Sequence, residues 1–107
     1  MSQTQENQQA ALLQENARLR RECMRLKKAI SYCRRRQNRG LPVEEARMRK
    51  EVEAEMKHYR AEEAEPPADA AQLAEENEDF ARYLAGLQGT LEAMLGDAAK
   101  GTVKGYP

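Results

Sequence analysis

Side chains that could perform acid–base or nucleophilic chemistry are few in this sequence, and they are poorly placed for it. The single histidine, His58, lies in a highly charged stretch, and the only serines are Ser2 and Ser31. A serine nucleophile needs a general base within hydrogen-bond reach, and nothing in the sequence suggests a base beside either serine. Carboxylates are numerous, but charge runs of this kind usually form the solvated face of a helix. We therefore expect a protein that is not an enzyme.

The two cysteines, Cys23 and Cys33, are ten residues apart. This is not the spacing of zinc ligands, and no second cysteine pair or histidine pair accompanies them. We therefore expect no metal and no cofactor, and we interpret both as buried, reduced thiols of an intracellular, cytoplasmic protein. The alternative for Cys23 is a symmetric cross-link to a second copy under oxidising conditions.

The most concentrated candidate chemistry is a cluster of cations in the first part of the chain. Residues 1–39 carry a net charge of +7, whereas residues 40–65 carry −3 and residues 66–107 carry −4. Such a basic surface can bind the phosphate backbone of a nucleic acid or another polyanion. It can equally be neutralised by the acidic parts of the same chain. The candidate polyanion-binding residues are Arg18, Arg21, Arg25, Lys28, Arg34, Arg35, Arg36 and Arg39.

The element that carries these cations has the heptad repeat of a leucine zipper. Leucines at seven-residue spacing occupy position d, and Asn16 falls at position a, where a buried asparagine pair favours two parallel strands in one register. The pattern predicts a parallel dimeric coiled coil formed with a second copy of the chain. The predicted dimer seam consists of Leu12, Asn16, Leu19, Cys23, Leu26, Ile30 and Cys33.

Charges beside this seam favour the same arrangement. Glu15 and Glu22 fall at position g, and Arg20 and Lys27 fall at position e, five residues further on. In a parallel dimer, position g of one strand lies beside the following e position of the other. The spacing predicts the interchain pairs Glu15–Arg20 and Glu22–Lys27. The alternative is an amphipathic helix that packs on its own chain.

The composition indicates a helical protein with a thin core. Leu, Ile, Val and Phe together supply only 15 of 107 residues, whereas Ala, Glu, Lys, Leu and Arg supply more than half. Strong helix formers in this proportion are typical of coiled coils and long helices. No apolar run approaches the about 20 residues that cross a bilayer, and the glutamine-rich N-terminus has no signal-peptide core, so we expect neither a membrane span nor a secretory signal.

Helix-breaking residues divide the chain into four segments. Gly40-Leu41-Pro42 ends the first helix, and Pro66-Pro67 ends the second, which we expect to extend from Pro42 to Glu65. The second helix has a narrow apolar stripe of Met48, Val52, Met56 and Tyr59. The predicted segments are a zipper over 1–39, a charged amphipathic helix over 40–65, an apolar-seam helix over 66–98 and a flexible tail over 99–107. The fold class is all-α, an elongated three-helix chain whose later helices either fold back or extend.

The third helix carries a second seam with coiled-coil spacing and an asparagine, Asn77, at an a-like position. Its apolar residues are Leu73, Phe80, Leu84, Leu87, Leu91 and Met94. Ala81, Ala85, Gly89 and Ala93 recur along one edge of this seam. Two interpretations of the glycines stay open, namely close approach of another backbone at Gly89 or a helix broken between Gly86 and Gly89.

Residues 12–32, LLQENARLRRECMRLKKAISY, resemble the leucine-zipper segment of insertion-sequence transposase helper proteins. The matching residues are Glu15, Asn16, Leu19, Leu26, Lys27, Lys28 and Ala29. The resemblance implies self-association. In that family the zipper follows a DNA-binding helix-turn-helix, which the residues before Leu12 are too few to form, so we expect no site-specific DNA function. A basic-zipper transcription factor is also excluded, because its basic region precedes the leucines and residues 1–11 here contain no Lys or Arg.

These observations predict a non-enzymatic homodimeric scaffold or adaptor protein that mediates protein–protein assembly, in a role suited to a phage or mobile element. Its expected partners are a second copy of itself and another protein bound through the third helix or the C-terminal tail. The alternative is a nucleic-acid-associated regulator that binds phosphates through the basic face of residues 18–39. Binding to random duplex DNA at low salt distinguishes the two.

Overall fold

The computed structural model of the chain describes residues 2–60 and 65–103, together with the side chains of residues 4–60 and 65–96. It consists of three helices, α1 (Ser2–Asn38), α2 (Glu45–Met56) and α3 (Ala70–Val103), and the described residues include no strand. The molecule measures 68 × 25 × 17 Å. The predicted all-α class is therefore confirmed. None of the helices in this part of the chain has both the length and the apolar character needed to cross a membrane.

Helix α1 is long because its sequence contains strong helix formers and no proline or glycine before Gly40. Its C-terminus is closed by a Schellman motif. The N–H of Leu41 donates to the carbonyl of Arg36 at 2.8 Å, and the N–H of Gly40 donates to the carbonyl of Gln37 at 3.0 Å. Gly40 has a φ of 67°, the left-handed conformation for which glycine is suited.

Helix α2 is shorter than the sequence predicts. It buries Met48, Val52 and Met56 at four-residue spacing and ends at Met56, so the expected continuation to Glu65 is wrong. The last carbonyls accept bonds from the N–H groups of His58 and Tyr59 in a single turn. Helix formers continue beyond Met56, and Tyr59 of the stripe still packs half-buried against the core from outside the helix. Residue propensity alone does not extend a short helix with so narrow an apolar stripe.

Helix α3 begins after Asp69, whose Oδ1 accepts a hydrogen bond from the N–H of Ala71 at 3.1 Å. Asp69 therefore acts as the N-cap of the helix. The helix then continues through Gly86, Gly89 and Gly96 to Val103. The broken-helix interpretation is therefore wrong, and the backbone of residues 99–103, expected to be a flexible tail, is helical. The rest of the predicted tail, 104–107, lies outside the described residues.

The three helices are arranged up, down and up. Hydrogen bonds join Gln9 to Ala68 near the start of α1 and Cys23 to Phe80 further along, so α3 is parallel to α1. Helix α2 runs in the opposite direction along the second half of α1, because Cys33 lies beside Met48 and Arg25 beside Glu53. Both later helices therefore fold back on α1.

The main core lies where all three helices meet. It is formed by Ala29, Tyr32, Cys33, Met48, Val52 and Met56. The half-buried residues Leu91, Met94 and Leu95 of α3 pack against it. Among the residues whose side chains are described, the largest with less than 2% of their surface exposed are Leu73 and Cys33. The thin core predicted from the composition is therefore observed in a single chain.

Candidate functional site

The seams of α1 and α3 face each other in one register, with an offset of 61 residues. Asn16 Nδ2 donates to Asn77 Oδ1 at 2.9 Å, and Asn77 Nδ2 donates to the carbonyl of Leu12 at 3.0 Å. With Asn16 opposite Asn77, each a or d position of α1 is aligned with the same position of α3. The register therefore places Leu19 opposite Phe80. Helix α3 occupies the place that a second zipper strand would take.

A polar network lies at the centre of this seam. Both asparagines are buried, with 3% of Asn16 and 7% of Asn77 exposed. Asn16 Nδ2 also donates to Glu76 Oε2 at 2.7 Å, and Arg20 Nε donates to Asn16 Oδ1 at 2.7 Å. Because every amide of the network has a partner, the network favours one register over a slipped one.

The flanking charges of α1 pair with the flanking positions of α3. Arg20, at position e, forms an ion pair of 2.9 Å with Glu76, which is at position g of α3. One heptad later, Lys27 Nζ lies 5.1 Å from the ring centroid of Tyr83. This is the g-to-e spacing of a parallel coiled coil, realised within one chain. Glu76 and Tyr83 were not singled out from the sequence, although alignment of Asn77 with Asn16 places them at position g.

The two glutamates of the predicted interchain pairs bind arginines of their own helix. Glu15 pairs with Arg18, and Glu22 pairs with Arg25. The hydrogen bond from Arg18 holds the pKa of the Glu15 carboxyl below its ordinary value. Pairing of these glutamates with residues of a second copy stays a prediction.

Burial decreases along the seam toward the end of α3. On α1, Asn16, Leu19, Cys23, Ile30 and Cys33 are buried, whereas Leu12 and Leu26 are half-buried. On α3 the seam is buried at Leu73 and Asn77. The other predicted seam residues are half-buried, namely Phe80, Leu84, Leu87, Leu91 and Met94. One chain therefore leaves part of its second apolar seam uncovered.

Both cysteines are free thiols in this interface. Cys23 Sγ lies 3.8 Å from the carbonyl of Phe80, and Cys33 Sγ lies 3.8 Å from Met48 Sδ. Burial raises the pKa of both thiols, and for Cys23 the nearby Lys27 opposes this effect. Each thiol is therefore mainly protonated at neutral pH and behaves as a small apolar group.

An apolar groove lies between α2 and α3, with α1 at its base. The groove has a volume of about 360 Å³. Its apolar lining consists of Leu26, Ala29, Met48, Val52, Leu91 and Leu95. At its rim, Arg25 pairs with Glu53 at 2.7 Å and Arg49 pairs with Glu45 at 2.9 Å. The heptad pattern did not predict this groove, because it depends on where α2 lies relative to α3.

Only part of the basic face of α1 forms ion pairs with other described residues. Toward its N-terminal half, Arg18, Arg20 and Arg25 form ion pairs, and the hydrogen bond that Arg25 donates to Glu53 raises the pKa of Arg25. Arg21 lies over the ring of Tyr59. Toward its C-terminal end, no ion pair with a described residue is made by Lys28, Arg34, Arg35, Arg36 or Arg39. Internal neutralisation therefore covers only part of the face.

The remaining candidates do not form a site in the described part of the chain. His58 is exposed. No group of three His, Cys, Asp or Glu side chains is arranged to hold a metal ion among the described residues. A Cβ added at Gly89 meets no atom of the described residues within 4 Å, so no other backbone in that part of the chain approaches it. Ala81, Ala85 and Ala93 on the same edge are also exposed.

Comparison with protein-family models, curated proteins and solved structures gives no match to this chain. What distinguishes the chain physically is therefore its matched pair of heptad seams, its apolar groove and the unpaired basic end of α1.

Proposed function

We propose that this chain is a non-enzymatic, homodimeric scaffold or adaptor protein that mediates protein–protein assembly by pairing helices. The observation that carries the proposal is the shared register of α1 and α3, centred on Asn16 and Asn77. The hydrogen-bonded polar side chains between α1 and α3 stabilise the pairing of these helices. Reduced thiols in the seam are typical of proteins from an intracellular compartment. The zipper-like segment 12–32 supports self-association and a role in a phage or mobile element.

In the proposed dimer, α3 of each copy pairs with α1 of the other. Exchange of an identical element between two copies preserves its contacts, which makes it a low-cost route to a dimer. The Asn16–Asn77 bond and the Arg20–Glu76 ion pair then re-form across the two chains. Charge favours this over pairing of α1 with a second α1, because residues 1–39 carry +7 and residues 66–107 carry −4.

The scaffold binds its other protein partner at the groove and the half-buried seam of α3. A helix with an apolar face fits such a groove, as in helix-in-groove recognition. The ion pairs Arg25–Glu53 and Arg49–Glu45 at the rim balance in sign, so the groove selects an apolar helix rather than a strongly charged one.

The first test is the mass of the chain in solution. Light scattering at micromolar concentration is expected to give twice the 12.2 kDa of one chain. A mass of 12.2 kDa throughout this range contradicts the dimer, and a trimer or tetramer contradicts the two-stranded role given to Asn16.

The second test identifies which helices pair. We would combine Cys33→Ala with Leu84→Cys, which places a new thiol opposite Cys23 in the α1–α3 register. Mild oxidation is expected to give a covalent dimer joining Cys23 of one chain to position 84 of the other, identified by peptide mapping. A linkage within one chain contradicts exchange, and a Cys23-to-Cys23 linkage indicates the α1–α1 zipper instead. Glu92→Cys, on the exposed face of α3, is the matched control and should not cross-link to Cys23.

A second candidate function is a nucleic-acid-associated regulator that binds the phosphate backbone through residues 18–39. It is favoured by the unpaired cations at the end of α1. The test is binding to a random DNA duplex at about 50 mM salt, with affinity falling steeply as salt rises. Absence of binding at this salt concentration contradicts this function and leaves the scaffold proposal unaffected.

A further inference from the structure

A small cleft opens between the last turns of α1 and the side of α2. Its volume is about 180 Å³, and it is lined by Tyr32, Arg35, Arg36, Arg39 and Glu51. Three arginines and one glutamate therefore line a space large enough for a small anion. The ion pairs of the described residues do not include Glu51.

The Tyr32 side chain in this cleft has an unsatisfied polar group. Tyr32 is 3% exposed, and its hydroxyl is buried without a hydrogen-bond partner among the described residues. Buried hydroxyl groups in folded proteins nearly always have a partner, so the Tyr32 hydroxyl has hydrogen-bonding capacity that the described residues do not use. A tyrosine hydroxyl next to arginines can donate a hydrogen bond to an anion that the arginines attract.

Capping of α1 does not account for the arginines. Cations near a helix C-terminus commonly bind the last carbonyl groups. Here the carbonyls of Arg35, Arg36 and Gln37 already accept backbone N–H groups from residues 39–41. Arg36 Nε donates to the carbonyl of Pro42 at 2.8 Å, which holds its guanidinium beside the cleft. Arg35 and Arg39 are exposed and form no ion pair with a described residue.

We propose, on the basis of the second candidate function above, that this cleft binds a phosphoryl group of a nucleic-acid backbone. The guanidinium groups of Arg35 and Arg39 bind phosphate oxygens, and Arg36 adds a third positive charge. Rotation of the exposed arginine side chains admits the anion to the Tyr32 hydroxyl, which donates to it. Glu51 opposes binding, because its carboxylate repels the phosphate.

A neighbouring cleft favours a polymer over a single phosphorylated side chain. This second cleft has a volume of about 250 Å³ and is lined by Met24, Lys27, Lys28, Ser31, Arg35 and Glu55. Arg35 lines both clefts, so they adjoin along α1. A nucleic-acid strand carries a phosphate at every nucleotide and can place phosphates in both. A phosphopeptide with one phosphate would occupy only one of them.

The test uses the full chain and three probes at constant ionic strength. These are inorganic phosphate, a short single-stranded oligonucleotide, and the same oligonucleotide with an uncharged backbone. We expect saturable binding of the first two and none of the third. Arg39→Gln should weaken phosphate binding by about tenfold, as expected for loss of a charge-assisted hydrogen bond. Arg47→Gln, which changes an exposed arginine of α2 outside the cleft, is the matched control and should retain the affinity.

Two further variants separate a binding site from a diffuse positive field. Tyr32→Phe should raise the unfolding temperature in phosphate-free buffer, because it removes an unsatisfied hydroxyl, and should weaken phosphate binding. Glu51→Gln should strengthen phosphate binding, whereas Glu92→Gln on α3 should not. If Tyr32 and Glu51 have only a structural role, neither substitution changes the affinity for phosphate.

Several outcomes overturn the inference. If Arg39→Gln and Arg47→Gln weaken phosphate binding equally, the protein binds phosphate through a non-specific positive field. If Tyr32→Phe and Glu51→Gln leave the affinity unchanged, the cleft is not the binding site, although the protein still binds the oligonucleotide. Phosphate binding without oligonucleotide binding overturns the nucleic-acid assignment. Tighter binding of a phosphoserine peptide than of the oligonucleotide assigns the cleft to phosphoproteins instead.

Discussion

Asn16 has a different partner in the structure from the one that the sequence predicted. Its heptad position predicts a buried asparagine in a two-stranded seam, and in the described chain its partner is Asn77 of the same molecule. The side chain is also held by Arg20 and Glu76. The position in the repeat was therefore informative about burial and about an amide partner, but it carried no information about which strand supplies that partner.

The asparagine pair should behave as one unit in stability measurements. Asn16→Leu or Asn77→Leu alone leaves the other amide buried with a lost partner, and we expect each to lower the free energy of unfolding by about 1–3 kcal/mol. The double variant places leucine opposite leucine and should recover most of this loss, at the expense of register specificity. Urea unfolding of the four proteins measures the coupling. Additive losses would contradict a direct Asn16–Asn77 interaction.

At the scale of elements, both local sequence signals and packing influence where each helix begins and ends. Gly40 marked the end of α1 correctly, because a left-handed glycine is a local device, and the side-chain N-cap at Asp69, before the start of α3, is another. The end of α2 was not predicted, because the run of helix formers continues beyond Met56 and propensity alone does not decide where a short helix ends. Likewise α3 passes through Gly86 and Gly89, because the rest of its sequence favours helix strongly enough.

Two glycines should respond to alanine in opposite ways. Gly40→Ala forces a Cβ into the left-handed conformation at a φ of 67°, and we expect a loss of roughly 1–2 kcal/mol in the free energy of unfolding. Gly89→Ala adds a methyl group where no atom lies within 4 Å, and we expect a gain of up to about 1 kcal/mol from helix propensity. Thermal or urea unfolding compares them. Destabilisation by Gly89→Ala, or loss of the dimer, would indicate that a second chain approaches this edge of α3.

At the scale of the whole molecule, the acidic parts of the chain pair with some of the cations of α1 and not with others. Glu76 of α3 and Glu53 of α2 each bind an arginine of α1, so the acidic parts do fold against the basic part. Lys28, Arg35 and Arg39 nevertheless keep no ion pair with a described carboxylate. Internal pairing therefore accounts for the first half of the basic face, and binding of a polyanion by the second half stays a prediction.

The two buried thiols test how the later helices pack on α1, because Cys23 contacts α3 and Cys33 contacts α2. Burial raises the pKa of Cys23 and Cys33 above the ordinary 9.0, so the folded state holds these protons more tightly than the unfolded state. Their contribution to stability is complete below the ordinary value and is lost as the pH rises through the raised values. We therefore expect the free energy of unfolding to fall above about pH 9, and less so in the Cys23→Ala, Cys33→Ala double variant.

Native thiol reactivity provides the accompanying measurement. A disulfide reagent should label both cysteines slowly at pH 8 in the folded protein and rapidly in urea. Fast labelling of Cys23 in native buffer would contradict a closed α1–α3 seam. An exposed thiol, introduced by Glu92→Cys, provides the internal reference for unhindered labelling.

The sequence by itself determined the helical class, the thin core, the N-terminal helix and the heptad positions of both seams. These depend on residue type and on spacing along one helix, which are local properties. Only the tertiary structure decided that α3 pairs with α1 in parallel, that a groove lies between α2 and α3, and that Tyr32 meets Arg39 and Glu51 in a cleft. Heptad positions specify which face of a helix is buried and leave the identity of the covering strand open. Leu12, Leu19 and Leu26 therefore indicate that a second helix covers this face of α1. Within the described residues, that helix is α3.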